Sequence, residues 1–323
     1  MNKIERIKRL LNDDGIVSAM AIDQRGSLKK MLGAALGQEA SDTDVQSFKE
    51  KVVELLSPYA SGVLLDPEYG LSAIEKKSKK SGILLAYEKS GYDVTTPGRM
   101  PDLLSDWSVS KLVEAGADAI KLLVYYDPED ALEINSKKQD FIRDVGGECT
   151  INDAPFFLEI VCYSERYGDE KGLEFAKHKP RLVGMYMQEF SKPEYCVDVL
   201  KVEFPINIKY LQGSSVAGDG EFAYTRAEAL ELVRSAATMT NLPFIYLSAG
   251  VSIDAFVETL ALAREAGVNY NGVLCGRATW QNGIAAYGRG IVALQQWLED
   301  EGVRNIMRVN EELRLGAKPI VFR

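Results

Sequence analysis

Three short apolar runs each carry ionisable residues where a strand core would place them: Ala119-Ile120-Lys121-Leu122-Leu123, Phe156-Phe157-Leu158-Glu159-Ile160 and Leu200-Lys201-Val202-Glu203. A single lysine in such a run is explained by a strand end, where the long side chain carries its charge out to water. Lys, Glu and Lys on three successive runs instead make an interior cluster whose charges offset one another's desolvation cost. Its chemistry is that of an amine nucleophile. An exposed lysine, with a pKa of about 10.4, is almost wholly ammonium at neutral pH and cannot attack a ketone. A second ammonium nearby and low-dielectric walls both disfavour the charged form. Lys121 is expected to act in that way on Lys201. Glu159, between them, is expected to move protons, first in dehydrating a carbinolamine to an iminium and then in carbon–carbon cleavage. Asp23 ends an earlier apolar run and faces the same opening, where it orients a substrate hydroxyl, shares the proton transfer, or caps the next helix. Glu203 shares the face of Lys201, because strand side chains alternate with period two, but no step of the chemistry requires it.

A second set of residues suits phosphate. Leu247-Ser248-Ala249-Gly250 and Cys275-Gly276-Arg277 each end an apolar run and precede a helix-like segment. In barrels, the loops after the last two strands often bind phosphate with backbone N–H groups, a helix N-terminus and a cation. Gly250 and Gly276 allow close backbone approach, and Arg277 supplies a planar fork. The same glycines also serve as plain turn residues.

Eight apolar runs position these residues: 15–23, 62–66, 82–87, 119–126, 155–162, 199–204, 243–248 and 271–275. Helical spacing falls between them at 45–59, 103–115, 226–238, 253–266 and 284–298. Continuous apolar strands alternating with helices predict a parallel sheet covered on both faces, and eight such units predict an α/β fold, a closed (β/α)8 TIM barrel. The barrel is expected to form one domain over 1–323, with an N-terminal helix and a short C-terminal helix and tail. Gly116 and Gly267 stand where helices should stop, and Thr225 and Ser252 where helices should start. The segment 213–224, with Gly218-Asp219-Gly220, is expected to be the most mobile loop at the active end. No G-x-G-x-x-G follows the first run, which disfavours a doubly wound dinucleotide-binding sheet.

Composition narrows the function. The 323 residues carry a net charge of −9 with no basic block, so neither nucleic acid nor a membrane surface is an expected partner. No apolar run approaches the roughly 18 to 20 residues that span a bilayer, and residues 1–10 lack a signal-peptide core, so a cytoplasmic protein is expected. The four cysteines, Cys149, Cys162, Cys196 and Cys275, show no C-x-x-C pairing and are expected to be reduced core thiols. The single histidine, His178, stands in polar Lys177-His178-Lys179-Pro180 and is expected to be solvated. One histidine cannot assemble the imidazole set of a metal-dependent aldolase, so no metal and no cofactor is expected.

Several stretches closely resemble the class I tagatose-1,6-bisphosphate aldolases, in order and over nearly the whole chain. They are Asp23-Gln24-Arg25-Gly26, Leu64-Leu65-Asp66-Pro67-Glu68-Tyr69-Gly70, Tyr87-Glu88-Lys89-Ser90-Gly91-Tyr92-Asp93, Phe156-Phe157-Leu158-Glu159, Asp198 to Glu203, Tyr246 to Ser252 and Gly272 to Trp280. The resemblance implies a (β/α)8 enzyme that cleaves tagatose 1,6-bisphosphate to dihydroxyacetone phosphate and glyceraldehyde 3-phosphate without metal. It also implies acceptance of fructose 1,6-bisphosphate, a place in lactose and galactose use, and a homo-oligomer. By the same resemblance, Lys201 is the Schiff-base lysine, Glu159 the proton-transfer residue and Lys121 a second active-site lysine. Asp23 and Gln24 line the site, and Ser248, Gly250, Gly276 and Arg277 belong to the phosphate region. The loop 213–224 and the tail 317–323 look least like the family. Two alternatives stay open: a sulfosugar-phosphate aldolase on the same fold, and a non-catalytic sugar-phosphate sensor.

Overall fold

The computed structural model describes residues 1–218 and 220–322; Asp219 of the loop and Arg323 of the tail lie outside the described residues. Eight strands, β1 (Val17–Ala21), β2 (Gly62–Leu65), β3 (Gly82–Ala86), β4 (Ala119–Tyr126), β5 (Phe156–Cys162), β6 (Val199–Val202), β7 (Phe244–Leu247) and β8 (Gly272–Cys275), pair in sequence order. All pairings are parallel, and β1 closes the ring on β8. The predicted (β/α)8 barrel is therefore the fold, and each strand lies within its predicted apolar run.

The helices in chain order are α1 (Lys3–Lys8), α2 (Gly26–Leu36), α3 (Asp42–Leu56), α4 (Val109–Glu114), α5 (Leu132–Ile151), α6 (Leu173–Glu189), α7 (Arg226–Ala237), α8 (Ile253–Glu265), α9 (Arg277–Trp280), α10 (Gly283–Tyr287), α11 (Ile291–Trp297) and α12 (Val303–Gly316). Thr225 and Ser252 are N-caps, their hydroxyls accepting from Glu228 N and Ala255 N. Gly116 and Gly267 both take the positive φ that ends a helix. Two expectations shift. The helix expected from Leu103 begins only at Val109, because Leu103 pairs as an isolated bridge with Glu88 and Ser108 supplies the cap. The helix expected over 284–298 is split at Gly288-Arg289-Gly290, where Gly290 has φ 113°.

Helix α6 holds Pro180 in its interior. Proline has no N–H, so the carbonyl four residues back loses its helical donor. Here the Tyr224 hydroxyl donates to that carbonyl, on Ala176. One end of the loop 213–224 is thereby fixed, and its base is closed by a bridge between Leu211 and Tyr224.

Two apolar clusters divide the interior. The larger lies between sheet and helices. The smaller fills the barrel with one to three side chains from each strand, including Val17, Ala19, Ala21, Leu64, Leu84, Ala86, Ala119, Phe157, Val199, Ile245 and Leu274. Ile7, Leu10 and Ile320 belong to this same cluster and close its floor, with Leu11 and Phe322 packed below. The tail is laced there by Ile320 N donating to Gly15 O and by the Asn271 amide donating to Lys318 O. Lys3 pairs with Asp198 at 2.8 Å at the same end.

One buried ion pair braces β1 from outside. Lys49 projects from α3 among Val45, Val52 and Leu56, wholly buried, pairs with the wholly buried Asp66, and donates to the Ile22 carbonyl at 2.8 Å. Burial pushes the Lys49 ammonium below its ordinary value, against the attraction of Asp66. Without Lys49 the buried Asp66 keeps only Arg25, at 3.6 Å, and the Tyr69 N–H. Lys49→Met is accordingly expected to cost about 3 kcal/mol in urea unfolding, the low end for a broken buried pair.

Candidate active site

Alternation along the strands lifts the ionisable residues into the layer above the apolar plug. Ala119, Phe157 and Val199 point into the plug, so Lys121, Glu159 and Lys201, two residues further on, point into the barrel at its C-terminal mouth. Register brings them together. Glu159 lies directly beside Lys201 on the adjacent strand, whereas Lys121 is level with Phe157, one layer lower, and reaches up with its long side chain. They line a cavity of about 610 Å³.

Lys121 is the hub. Its Nζ lies 2.9 Å from Asp23 Oδ2, 2.6 Å from Glu88 Oε1 and 2.8 Å from Glu159 Oε2. Glu159 Oε2 is also 2.8 Å from Lys201 Nζ, so one oxygen serves both ammonium groups. It meets both as ion pairs without an aligned hydrogen bond to either. All of these side chains except Asp23 are nearly inaccessible. The sequence reading expected one ammonium to repel the other. The structure instead places a carboxylate between them and surrounds Lys121 with three, so its charge is compensated locally.

Burial pushes the Lys121 ammonium down, but Asp23, Glu159 and Glu88 together outweigh this and hold it well above the ordinary lysine value. Burial likewise pushes Glu159 and Asp23 up, yet the attraction of Lys121 and Lys201 prevails and both carboxyls titrate below their ordinary values. Glu88 differs. Burial raises it, Lys121 is its main cationic neighbour, and Asp23 adds repulsion, so its carboxyl stays above the ordinary glutamate value.

Asp23 is not a helix cap: α2 is preceded by Arg25, without a side-chain cap bond, and the Asp23 carboxylate turns inward. Glu203 faces the cavity but is committed elsewhere, accepting from Cys162 N at 2.7 Å and pairing with Lys179 of α6 at 3.0 Å. Gln24 lines the cavity, and its Oε1 is buried with no partner among the described residues.

The phosphate-suited residues line the same cavity. The Ser248 hydroxyl accepts from Gly276 N at 3.2 Å, tying the end of β7 to the end of β8. Ala249 and Gly250 follow in the left-handed region, at φ 47° and 71°. The Arg277 guanidinium lies over Gly250 so closely that a Cβ there would be 2.6 Å from it. The helix expected at Arg277 is only four residues long, so at the end of β8 the turn and the arginine, not a helix dipole, are what the site offers an anion.

Glu88 and Lys49 went unassigned in the sequence reading. The signal for Glu88 was present: it follows an apolar run, as Asp23 does, and Leu84, Ala86 and Glu88 alternate. Lys49 sits on the apolar stripe of α3, a position that asks for a buried anion. Three cysteines are buried as expected, while Cys196 is half-buried. His178 pairs with Glu174 and stacks on Tyr167 away from the cavity. Among the described residues no helix is long and apolar enough to cross a membrane.

Comparison with known proteins gives consistent results. A model of the DeoC/LacD family of aldolases matches residues 17–282. The chain is 53% identical over 310 residues to tagatose 1,6-diphosphate aldolase 2 of Enterococcus faecalis, covering 96% of this chain and 92% of the relative. It is 49% identical over 318 residues to tagatose 1,6-diphosphate aldolase of Listeria innocua, covering 98% and 93%. With the enzyme of that name from Staphylococcus aureus it is 48% identical over 313 residues, covering 97% and 95%. Among solved structures, fructose-bisphosphate aldolase from Plasmodium falciparum matches with a TM-score of 0.71 at 12% identity, covering 98% of this chain and 95% of that one, a likeness of fold.

Proposed function

Because the chain belongs to the DeoC/LacD family of aldolases, we propose that it cleaves D-tagatose 1,6-bisphosphate to dihydroxyacetone phosphate and D-glyceraldehyde 3-phosphate through a Schiff base on Lys201. The observation that carries this reading is the single Glu159 oxygen 2.8 Å from both lysine nitrogens. The Glu159 carboxylate takes a proton from the Lys201 ammonium, which frees the amine to attack the C2 carbonyl. The acid so formed returns its proton to the carbinolamine hydroxyl, and water leaves as the iminium forms. Restored to carboxylate, Glu159 accepts the C4 hydroxyl proton while the C3–C4 bond breaks and its electrons pass to the iminium. Protonation of the enamine at C3 and hydrolysis release the ketone and Lys201. Throughout, Lys121 stays an ammonium that stabilises whichever neighbour is anionic.

Asp23 rises from β1 and Glu159 from β5, on opposite sides of the ring. Tagatose and fructose differ in the configuration at C4, so a carboxylate on either side supports acceptance of fructose 1,6-bisphosphate as well. Ser248, Gly250, Gly276 and Arg277 are assigned to one phosphate and Gln24 to the sugar chain. The test is a cleavage assay with both epimers in the presence and absence of a chelator, followed by borohydride reduction with dihydroxyacetone phosphate and peptide mapping. Activity lost to the chelator, or no adduct on Lys201, would sink the reading.

Gly250→Ala isolates the phosphate assignment. It forces a side chain into the left-handed region, at about 1–2 kcal/mol, and drives it against Arg277. The expected result is a KM for the bisphosphate raised roughly tenfold, equivalent to about 1.4 kcal/mol, with kcat within about threefold of the parent. Steady-state kinetics check it.

A further inference from the structure

Of the three carboxylates around Lys121, Glu88 has no step in the chemistry above and yet makes the shortest contact, 2.6 Å. Its second oxygen accepts the Leu123 N–H at 3.1 Å. Both oxygens are thus spent on β4, one on a side chain and one on the main chain two residues further along, which fixes the carboxylate against rotation. Asp23 is the more exposed of the remaining two and faces substrate; Glu159 is the one whose charge must change during turnover. From this division of labour we infer that Glu88 is a positioning residue, anchoring Lys121 so that Glu159 can take up and release a proton without Lys121 following it.

The inference rests on the Schiff-base reading and deepens it. Each time Glu159 becomes neutral, Lys121 loses one of its three anions. With Glu88 in place it keeps a fixed partner, and its ammonium stays where Asp23 and the next anionic form of Glu159 will need it. Without that partner the ammonium is left with Asp23 and Glu159 alone and leans on them harder. Glu159 then holds less readily the proton it must carry. The groups that face Glu88 are Lys121 from β4, Asp23 from the end of β1 and Arg25 from the turn after it. None of them replaces the lost anchor: two are cations, and the third is already bound to Lys121.

Glu88→Gln keeps the shape and removes the charge. Its kcat for tagatose 1,6-bisphosphate is expected to fall about 10- to 100-fold with KM within about threefold. The acid limb of the kcat/KM profile should move to lower pH, because removing a nearby negative charge lowers the proton affinity of Glu159. Glu88→Asp, which keeps the charge on a shorter arm, should recover part of kcat and move the limb back. A readout independent of activity is hydrogen exchange of the Lys121 ammonium in 15N-lysine-labelled protein, its signal identified by its absence from Lys121→Met. Exchange should be several-fold faster in Glu88→Gln than in the parent. Unchanged exchange and an unmoved pH limb overturn the inference, whether or not kcat falls, since a loss of kcat alone is what mere destabilisation would give. Should Glu88→Gln not fold, the same two readouts on Glu88→Asp decide, with no change in either overturning the inference. If the parent protein cleaves no ketose bisphosphate, the functional proposal fails, while the exchange experiment still decides whether Glu88 anchors Lys121.

Discussion

Lys201→Met lowers kcat/KM by about 10⁴-fold or more and leaves no borohydride-stable adduct: this is the largest effect expected of any single substitution in the chain. Methionine nearly matches lysine in length and flexibility, so the upper layer of the barrel stays filled. The anion left behind is not stranded, because Glu159 keeps Lys121 at 2.8 Å. Loss of rate should therefore come without gross loss of fold. Thermal unfolding measured beside single-turnover cleavage separates the two, and mass mapping locates any remaining adduct. Appreciable cleavage by a folded Lys201→Met protein would move the nucleophile elsewhere.

Glu159→Gln comes next, with kcat expected to fall by about 10²- to 10⁴-fold, the range for a positioned acid–base group. It has a second signature in stability. Lys121 and Lys201 overcome burial to hold the Glu159 carboxyl below its ordinary value of 4.5. A carboxyl lowered on folding contributes stability that is fully present above its unfolded value and is lost as pH falls through its folded value. The parent should therefore be more stable than Glu159→Gln at pH 6, and the gap should narrow as pH drops below about 4.5. Urea unfolding of both proteins between pH 6 and pH 3 measures it. A constant gap would mean that the carboxylate is not held by its cations.

Much of this was legible in advance because strand signals are local. A parallel strand buried on both faces must be apolar throughout, so a charge inside one is conspicuous, and Lys121, Glu159 and Lys201 announce themselves against Ile120, Leu158 and Val202. Period-two alternation then sets which way they point. Relations between strands were not legible. That Glu159 stands level with Lys201 while Lys121 starts a layer lower is a property of the barrel's stagger, and it converts an expected repulsion into a shared anion. Glu88 and Lys49 escaped for a related reason: each is explained only by a partner distant in sequence, Lys121 in one case and Asp66 in the other. Helix α5 hides Asn135 and Lys138 on its buried face, and α6 runs through Pro180, so both lack the clean apolar spacing that revealed α7 and α8. The break before α11 is marked by Gly290, at φ 113°, where backbone conformation, not hydrophobic pattern, interrupts the helix.

The closed floor bears on traffic. With Ile7, Leu10 and Ile320 packed beneath the apolar plug, the barrel is, among the described residues, filled at its lower end and open at its C-terminal mouth. Whatever enters to meet Lys201 must leave by the route it came. On the proposed Schiff-base mechanism, of two fragments produced in such a space the one that is not tethered departs first, and the tethered one stands behind it in the queue. On the same mechanism, water for the final hydrolysis arrives through the same opening, after the first fragment has cleared it.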